Sequence, residues 1–239
     1  MSKWSGWRQI ISEEVKAKNF LQQPTIRRTM CPSQGQLPRK YHRHLTGLSS
    51  KPMKKYGWDE PAFGGVPLNT SGYSQMSLQS IWHLHNIEQL TDPLQCEHIV
   101  HIGTGVGSLI ALMKNAGHTG RHTCVDLPEV HEVTRKYLEG VSDLDGVDFI
   151  TLSQLAGIEA DLMVATFSMN EMPILDRNRI ENNMDNFKHF YIQHNMNFDG
   201  VDNRIYFDQL VQRLPNFNVR GFDDPVYPNH PIILGTRNL

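Results

Sequence analysis

Apolar and polar positions along this chain follow two different periods, and the change from one to the other falls near residue 97. Ahead of it, Trp4, Trp7, Ile11, Val15 and Ala17 recur at helical spacing and predict an amphipathic helix over residues 4–20. A second helix is predicted over 76–90, with Leu78, Ile81, Trp82, His85 and Leu90 along one side. Residues 22–67 are rich in Pro, Gly, Ser, Arg and Lys without a period, which predicts an irregular connector. From Glu97 onward short apolar runs alternate with helical ones. Strands are predicted at 98–102, 122–127, 147–152, 161–166 and 189–194, and helices at 106–115, 128–138, 174–187 and 202–214. Pro128 suits a first helical position, and Gly117 and Gly140 suit helix stops. The end of the chain reads differently. Strands at 217–222 and 231–236 are joined by the turn-rich stretch 223–230 with no helix between, a hairpin. The expected fold is α/β: five parallel strands plus a C-terminal antiparallel hairpin, with helices on both faces. It occupies residues 76–239, preceded by a helical and irregular extension over 1–75.

One junction carries chemistry. The predicted strand at 98–102 runs straight into Gly103-Thr104-Gly105-Val106-Gly107 and then into a helix, and Val125-Asp126 follows about twenty residues later. Glycines let a strand-to-helix turn bring its backbone close to a ligand, and the helix start offers free N–H groups. An acid at the tip of the next strand can grip a ribose diol. Together these features predict a nucleoside-containing cofactor. Asp126 has a second reading, as a cap for the helix that starts at Pro128.

Composition narrows the class without naming a substrate. The 239 residues include 39% hydrophobic and 20% charged positions, ordinary for a soluble globular protein, and no apolar run reaches the length of a membrane span. Residues 1–18 are charged and lack the apolar centre of a signal peptide. The three cysteines, Cys31, Cys96 and Cys124, are odd in number and lack metal-type spacing. A cytoplasmic, reducing location is therefore expected, with no membrane partner. Charge is uneven: residues 1–60 hold twelve Lys/Arg against four acids, the rest eleven against twenty-one. A basic arm on an acidic body can touch an anionic partner, nucleic acid included, or serve only as a solvated face.

The strings HIGTGVG, VDLPEV and ADLMVATFSMNEMP, in that order, resemble class I methyltransferases that use S-adenosylmethionine, most closely the sugar O-methyltransferase family. The resemblance covers residues 82–239. It implies a Rossmann-like methyltransferase sheet, S-adenosylmethionine as cofactor and a small hydroxylated acceptor, a sugar or glycoconjugate first. By this resemblance Gly103, Thr104, Gly105 and Gly107 wrap the methionine end of the cofactor, Asp126 holds the ribose and Leu127 packs on the adenosine. Ser153 and Gln154 sit where adenine is read, and Thr166 and Phe167 complete the set. One position departs from the pattern: His101 stands where the family has an acid that helps bind the cofactor's amino group.

Methyl transfer needs an aligned acceptor oxygen and a base for its proton. Glu171, beyond the fourth strand, is the first candidate base, or else a first-turn acid favoured by the helix dipole. Asn170 is placed to orient an acceptor hydroxyl. His194 is a second candidate base or a rim residue, and Tyr73, His83 and Asn195 are candidate acceptor contacts. No metal is expected: His118 and His122 are four apart, but Gly117 and Gly120 oppose the helix that would align them. The Asn/Asp-Pro-Pro-aromatic string of amino-methylating enzymes and the Lys-Asp-Lys-Glu set of cap methylation are missing. Two rival readings stand beside the first: a catalytically degenerate binding module that uses the basic arm, and an NAD-dependent oxidoreductase. Against the latter, Ser108 occupies the third glycine position of a dinucleotide loop.

Overall fold

A computed structural model describes residues 3–31, 39–40, 43–45, 56, 58, 61–66, 68 and 72–238. Its centre is a seven-stranded sheet formed by β1 (His98–Ile102), β2 (Arg121–Val125), β3 (Val147–Ile150), β4 (Ala160–Thr166), β5 (Phe187–Gln193), β8 (Phe217–Phe222) and β9 (Ile232–Arg237), in the order β3-β2-β1-β4-β5-β9-β8. Strands β1 to β5 are joined by parallel pairing. The last strand, β9, inserts antiparallel between β5 and β8, and β8 pairs antiparallel with β9. Strand β8 therefore points the same way as β1–β5. Six strands run in one direction and only β9 opposes them, so the expected count of five parallel strands is corrected while the C-terminal hairpin stands. The small ladder of β6 (Asn197–Phe198) and β7 (Val201–Asp202) was not predicted. Its turn is Asp199-Gly200, with φ of 50° and 83°, the left-handed pair that an Asp-Gly hairpin turn requires.

Alternation along the strands builds two apolar layers. Ile99, Cys124, Leu162 and Val164 face one side, where α3 (Gln75–Ile87), α4 (Ser108–Asn115) and α5 (Pro128–Val141) pack. Val100, Ile102, Val125 and Met163 face the other, covered by α6 (Ile174–Glu181) and α7 (Asn203–Gln212). Parallel strands buried on both faces explain why β1 and β4 read as nearly continuous apolar runs.

Several boundaries differ from the periodic reading for identifiable reasons. Helix α5 passes through Gly140 instead of stopping there, because a Cβ at Gly140 would lie 2.3 Å from the Phe63 ring: this glycine makes room for an aromatic. Gly117, with φ of 99°, does end α4. The predicted helix 174–187 breaks at Asn182-Asn183, poor helix formers, and Phe187 opens β5 by pairing with Ala160. At the N-terminus, α1 (Lys3–Glu14) ends early and α2 (Pro24–Met30) occupies part of the stretch expected to be irregular. The Glu14 carboxylate accepts from Thr25 N and Ile26 N, capping α2 at its positive end. Part of the basic connector, Lys51, Lys54 and Lys55 included, lies outside the described residues. Ile11, Val15, Phe20, Leu21 and Ile26 belong to the same apolar cluster as α3 and α4. Among the described residues no helix is long and apolar enough to cross a membrane.

Asp224 ties the hairpin to the body. It is 2% exposed and accepts from Trp82 Nε1 on α3 at 3.0 Å, from Gln193 Nε2 on β5 at 2.5 Å, and from the amides of Val226 and Tyr227 at 2.7 and 3.0 Å. Asp224→Ala leaves the buried Trp82 Nε1 and the Val226 amide without their acceptor and is expected to lower stability by about 3 kcal/mol, read as a drop in the urea unfolding midpoint with an unchanged slope.

Candidate functional site

Strand order changes direction between β1 and β4, and in an open α/β sheet the crevice at the carboxyl ends of such strands is where ligands bind. The glycine loop leaves β1 and residues 166–171 leave β4. Gly103, Gly105 and Gly107 have φ of 74°, 57° and 91°. A Cβ on Gly103 would lie 2.1 Å from Ser168 Cβ, and the Ser168 hydroxyl donates to Ile102 O, so the two loops are laid against each other. A Cβ on Gly107 would lie 2.8 Å from Thr134 on α5, whose hydroxyl donates to Gly105 O at 2.7 Å. Gly105 faces open space, with nothing within 4 Å of a Cβ. The loop is thus fixed at both ends and bare in the middle, the form of a cradle for a ligand.

Asp126 supplies the third fixing point. Its Oδ2 accepts from Thr104 N at 2.7 Å and Gly105 N at 3.3 Å, and its Oδ1 from Leu127 N at 2.8 Å. Burial pushes the carboxyl up to about 6, against the pull of the three amides. Leu127, not Asp126, is the residue that precedes α5, and no side chain caps that helix start. Asp126 caps the glycine loop instead, and each oxygen keeps further lone-pair capacity for a ligand.

His101 is turned away from the loop. It is 4% exposed, and its Nε2 lies 3.0 Å from His122 Nδ1, whose ring in turn packs 4.5 Å from that of His118. Burial drives His101 down to about 3, so it is neutral and places no positive charge beside the crevice. His118 and His122 meet through a turn and a strand rather than a helix. Among the described residues no group of three or more His, Cys, Asp or Glu side chains is arranged to hold a metal ion.

At the tip of β4, Thr166 is half-buried and Phe167 adopts φ of 58°, a backbone conformation costly for a side chain with a Cβ. Phe167 N donates to Gln193 O at 2.8 Å, and its ring meets those of His83, Tyr227 and His230 at centroid distances of 6.2, 6.0 and 5.4 Å. His83 Nδ1 lies 2.9 Å from the Tyr191 hydroxyl, and burial brings this imidazole down to about 3. Asn170 is fully buried with both side-chain polar atoms unpaired. Glu171 is half-buried and accepts from Trp4 Nε1 at 3.2 Å. His194, at the end of β5, donates from Nδ1 to Asn195 O at 3.1 Å and stacks on Phe207 at 4.1 Å. Burial lowers its pKa, which leaves a neutral ring with Nε2 as the acceptor nitrogen. Ser153 and Gln154 are exposed on the turn after β3 and bond to Thr151 of that same turn. Tyr73 packs half-buried on the apolar cluster ahead of α3.

Helix α1 joins this region from the far end of the chain. Arg8 pairs with Glu129 beyond β2 at 2.9 Å, Trp4 reaches Glu171 beyond β4, and Lys136 on α5 holds the carbonyls of Val15 and Ala17 at 2.6 and 3.0 Å. The helix therefore spans the ends of the two strands that flank β1. The roles of Thr134, Ser168 and Asp224, and the contact of Trp4 with Glu171, were not legible in the sequence, since each acts through a partner remote along the chain. For Ser168 a signal existed: a glycine at 103 implies something close against it.

No protein-family model matches the sequence, and no curated protein matches it. Solved structures do resemble the fold. Cofactor-bound Rv0187 from MTB aligns with a TM-score of 0.51 at 15% identity, over 86% of this chain and 99% of that one. PigF with SAH aligns at 0.50 with 14% identity, over 90% and 78% of the two chains. A candidate O-methyltransferase from Klebsiella pneumoniae aligns at 0.50 with 14% identity, over 89% and 94%. The fold is accordingly the α/β Rossmann-like methyltransferase fold.

Two expectations follow. Gly103→Ala meets both a positive φ and Ser168, whereas Gly105→Ala meets only the positive φ. Gly105→Ala should cost about 1 kcal/mol and Gly103→Ala clearly more, compared by urea unfolding of the two variants. Acid should also weaken the fold. His83, His101 and His122 are held neutral by burial, whereas an unfolded chain protonates them near pH 6.5. Below that pH the unfolded state binds more protons, so stability falls as pH falls. Asp126, raised by burial, acts oppositely as pH drops through about 6, but it is one group against three. His83 and His101 should each cost about 2 kcal/mol by about pH 5, measured as a falling urea midpoint between neutral pH and pH 5.

Proposed function

We propose that this protein transfers a methyl group from S-adenosylmethionine to a hydroxyl oxygen of a small acceptor, a sugar or glycoconjugate first. The observation that carries the reading is the glycine loop pinned to Asp126 at the β1–β4 crevice, with the open face of Gly105 as its cradle. The fold of the similar solved structures, some with cofactor or SAH bound, supports it. The residues fit such a cofactor: Asp126 retains acceptor capacity for ribose hydroxyls, Leu127 offers an apolar edge, and neutral His101 adds no repulsion. When bound, S-adenosylmethionine supplies an electrophilic methyl group.

The chain's own part is alignment and proton removal. Glu171 is the first candidate base and His194 Nε2 the second. Asn170, with an unpaired amide beside Glu171, orients the acceptor hydroxyl. Residues 1–75 act as a lid over the body at 76–239, and the Trp4–Glu171 and Arg8–Glu129 contacts support that role.

Calorimetric titration with S-adenosylhomocysteine tests the first step. Binding is expected in the unaltered chain, with a loss of about tenfold or more in Asp126→Ala. Glu171→Gln should keep that binding and lower methyl transfer to a hydroxylated acceptor by about 10²-fold or more. Failure of the unaltered chain to bind would refute the reading.

A further inference from the structure

Behind the turn that carries Glu171 lies a buried cation with no anion beside it. Arg177, on α6, is 1% exposed. Its Nε donates to Met172 O at 2.8 Å, Nη1 to Asn203 Oδ1 at 2.7 Å and Nη2 to Asn170 O at 2.5 Å, and the guanidinium lies 4.7 Å from the centre of the Tyr206 ring. Among the described residues no carboxylate pairs with it. The nearby acids are engaged elsewhere, Glu181 with Arg213 and Asp202 with Arg204. Buried charges are ordinarily matched by an opposite charge, because neutral acceptors and a ring face offset only part of the desolvation cost.

The residues touching Arg177 are rich in unused donors. Asn170 Nδ2, Asn203 Nδ2 and the Tyr206 hydroxyl are all buried and unpaired, and Asn170 Oδ1 is the unpaired acceptor among them. Burial raises Tyr206 to about 12, which keeps its proton in place. Arg177 has five N–H bonds, of which the three contacts above use three. Tyr206 also borders a groove of about 640 Å³ between α6 and α7, which Ile174, Asn178, Asp202 and Ile205 line with it.

We propose that Arg177, Asn203 and Tyr206 form a binding site for the carboxylate group of a small ligand that enters from this groove past Tyr206. A carboxylate is planar and matches the edge of a guanidinium. The acids bordering the groove, Glu181 and Asp202, disfavour anions of higher charge. Arg177 also holds the carbonyls on either side of Glu171, so a ligand on its free N–H groups bears on the turn at the crevice. The site stands independently of the proposed methyl transfer.

Thermal unfolding of the full chain in sodium acetate, against sodium chloride at matched ionic strength, tests this. Acetate should raise the midpoint and saturate, as a ligand of the folded state does. Asn203→Asp places an internal carboxylate on Nη1. It should raise the midpoint without acetate and weaken the acetate response by about tenfold or more. Tyr206→Phe keeps the ring over Arg177 and removes the hydroxyl, and should weaken the response by a smaller factor. If Asn203→Asp does not fold, judged by circular dichroism, Tyr206→Phe decides. An acetate-indifferent midpoint in the unaltered chain, the outcome if ordered water alone satisfies these donors, overturns the proposal. So does a response that neither substitution changes.

Discussion

The carboxylate of Asp126 joins the ends of β1 and β2 by taking the amides of Thr104 and Gly105 onto one oxygen. A glycine loop is permissive by itself: three residues at positive φ define a path that many other paths compete with. The carboxylate removes that freedom at the centre, Thr134 removes it from the helix side, and Ser168 from the neighbouring strand. What remains unconstrained is the outward face of Gly105. The crevice is therefore shaped by backbone held from three directions, and its floor does not depend on long flexible side chains.

The N-terminal segment belongs to the same physical unit. Its apolar residues share a cluster with α3 and α4, and its polar contacts land on residues that follow β2 and β4. Lys136, by holding two carbonyls just past α1, fixes where that helix stops relative to α5. The segment is thereby coupled to the core, so its position responds to packing as much as to the two polar contacts, Trp4–Glu171 and Arg8–Glu129.

Much of the fold was legible because strands buried on both faces and helices with one apolar stripe leave strong local periods. The hairpin at 217–222 and 231–236 matched to within a residue, and Gly117 ended its helix as a glycine in the left-handed region does. The failures share a cause. Gly140 looks like a stop, but its missing Cβ accommodates Phe63, far away in sequence. The sense of β8 depends on the crossover through α7, which no window of the sequence displays. At the site, the glycine loop and Asp126 were readable because motif and chemistry coincide. The neutral burial of His101, the grip of Trp4 on Glu171 and the isolation of Arg177 were not, since each is a relation between residues that only the tertiary fold brings together.

The contact between Trp4 and Glu171 joins residues 167 positions apart, and this has a consequence for biosynthesis. Helix α1 is made more than a hundred residues before Glu129, Lys136 and Glu171, the side chains it meets. Until then Trp4, Trp7 and Ile11 have no body to pack against, and a short isolated helix is marginal in water. Strand β9, made after β5 and β8, must still enter between them before the sheet is closed. Helix α1 and strand β9 are thus late arrivals in folding, and the apolar side of α1 waits exposed while the sheet is made.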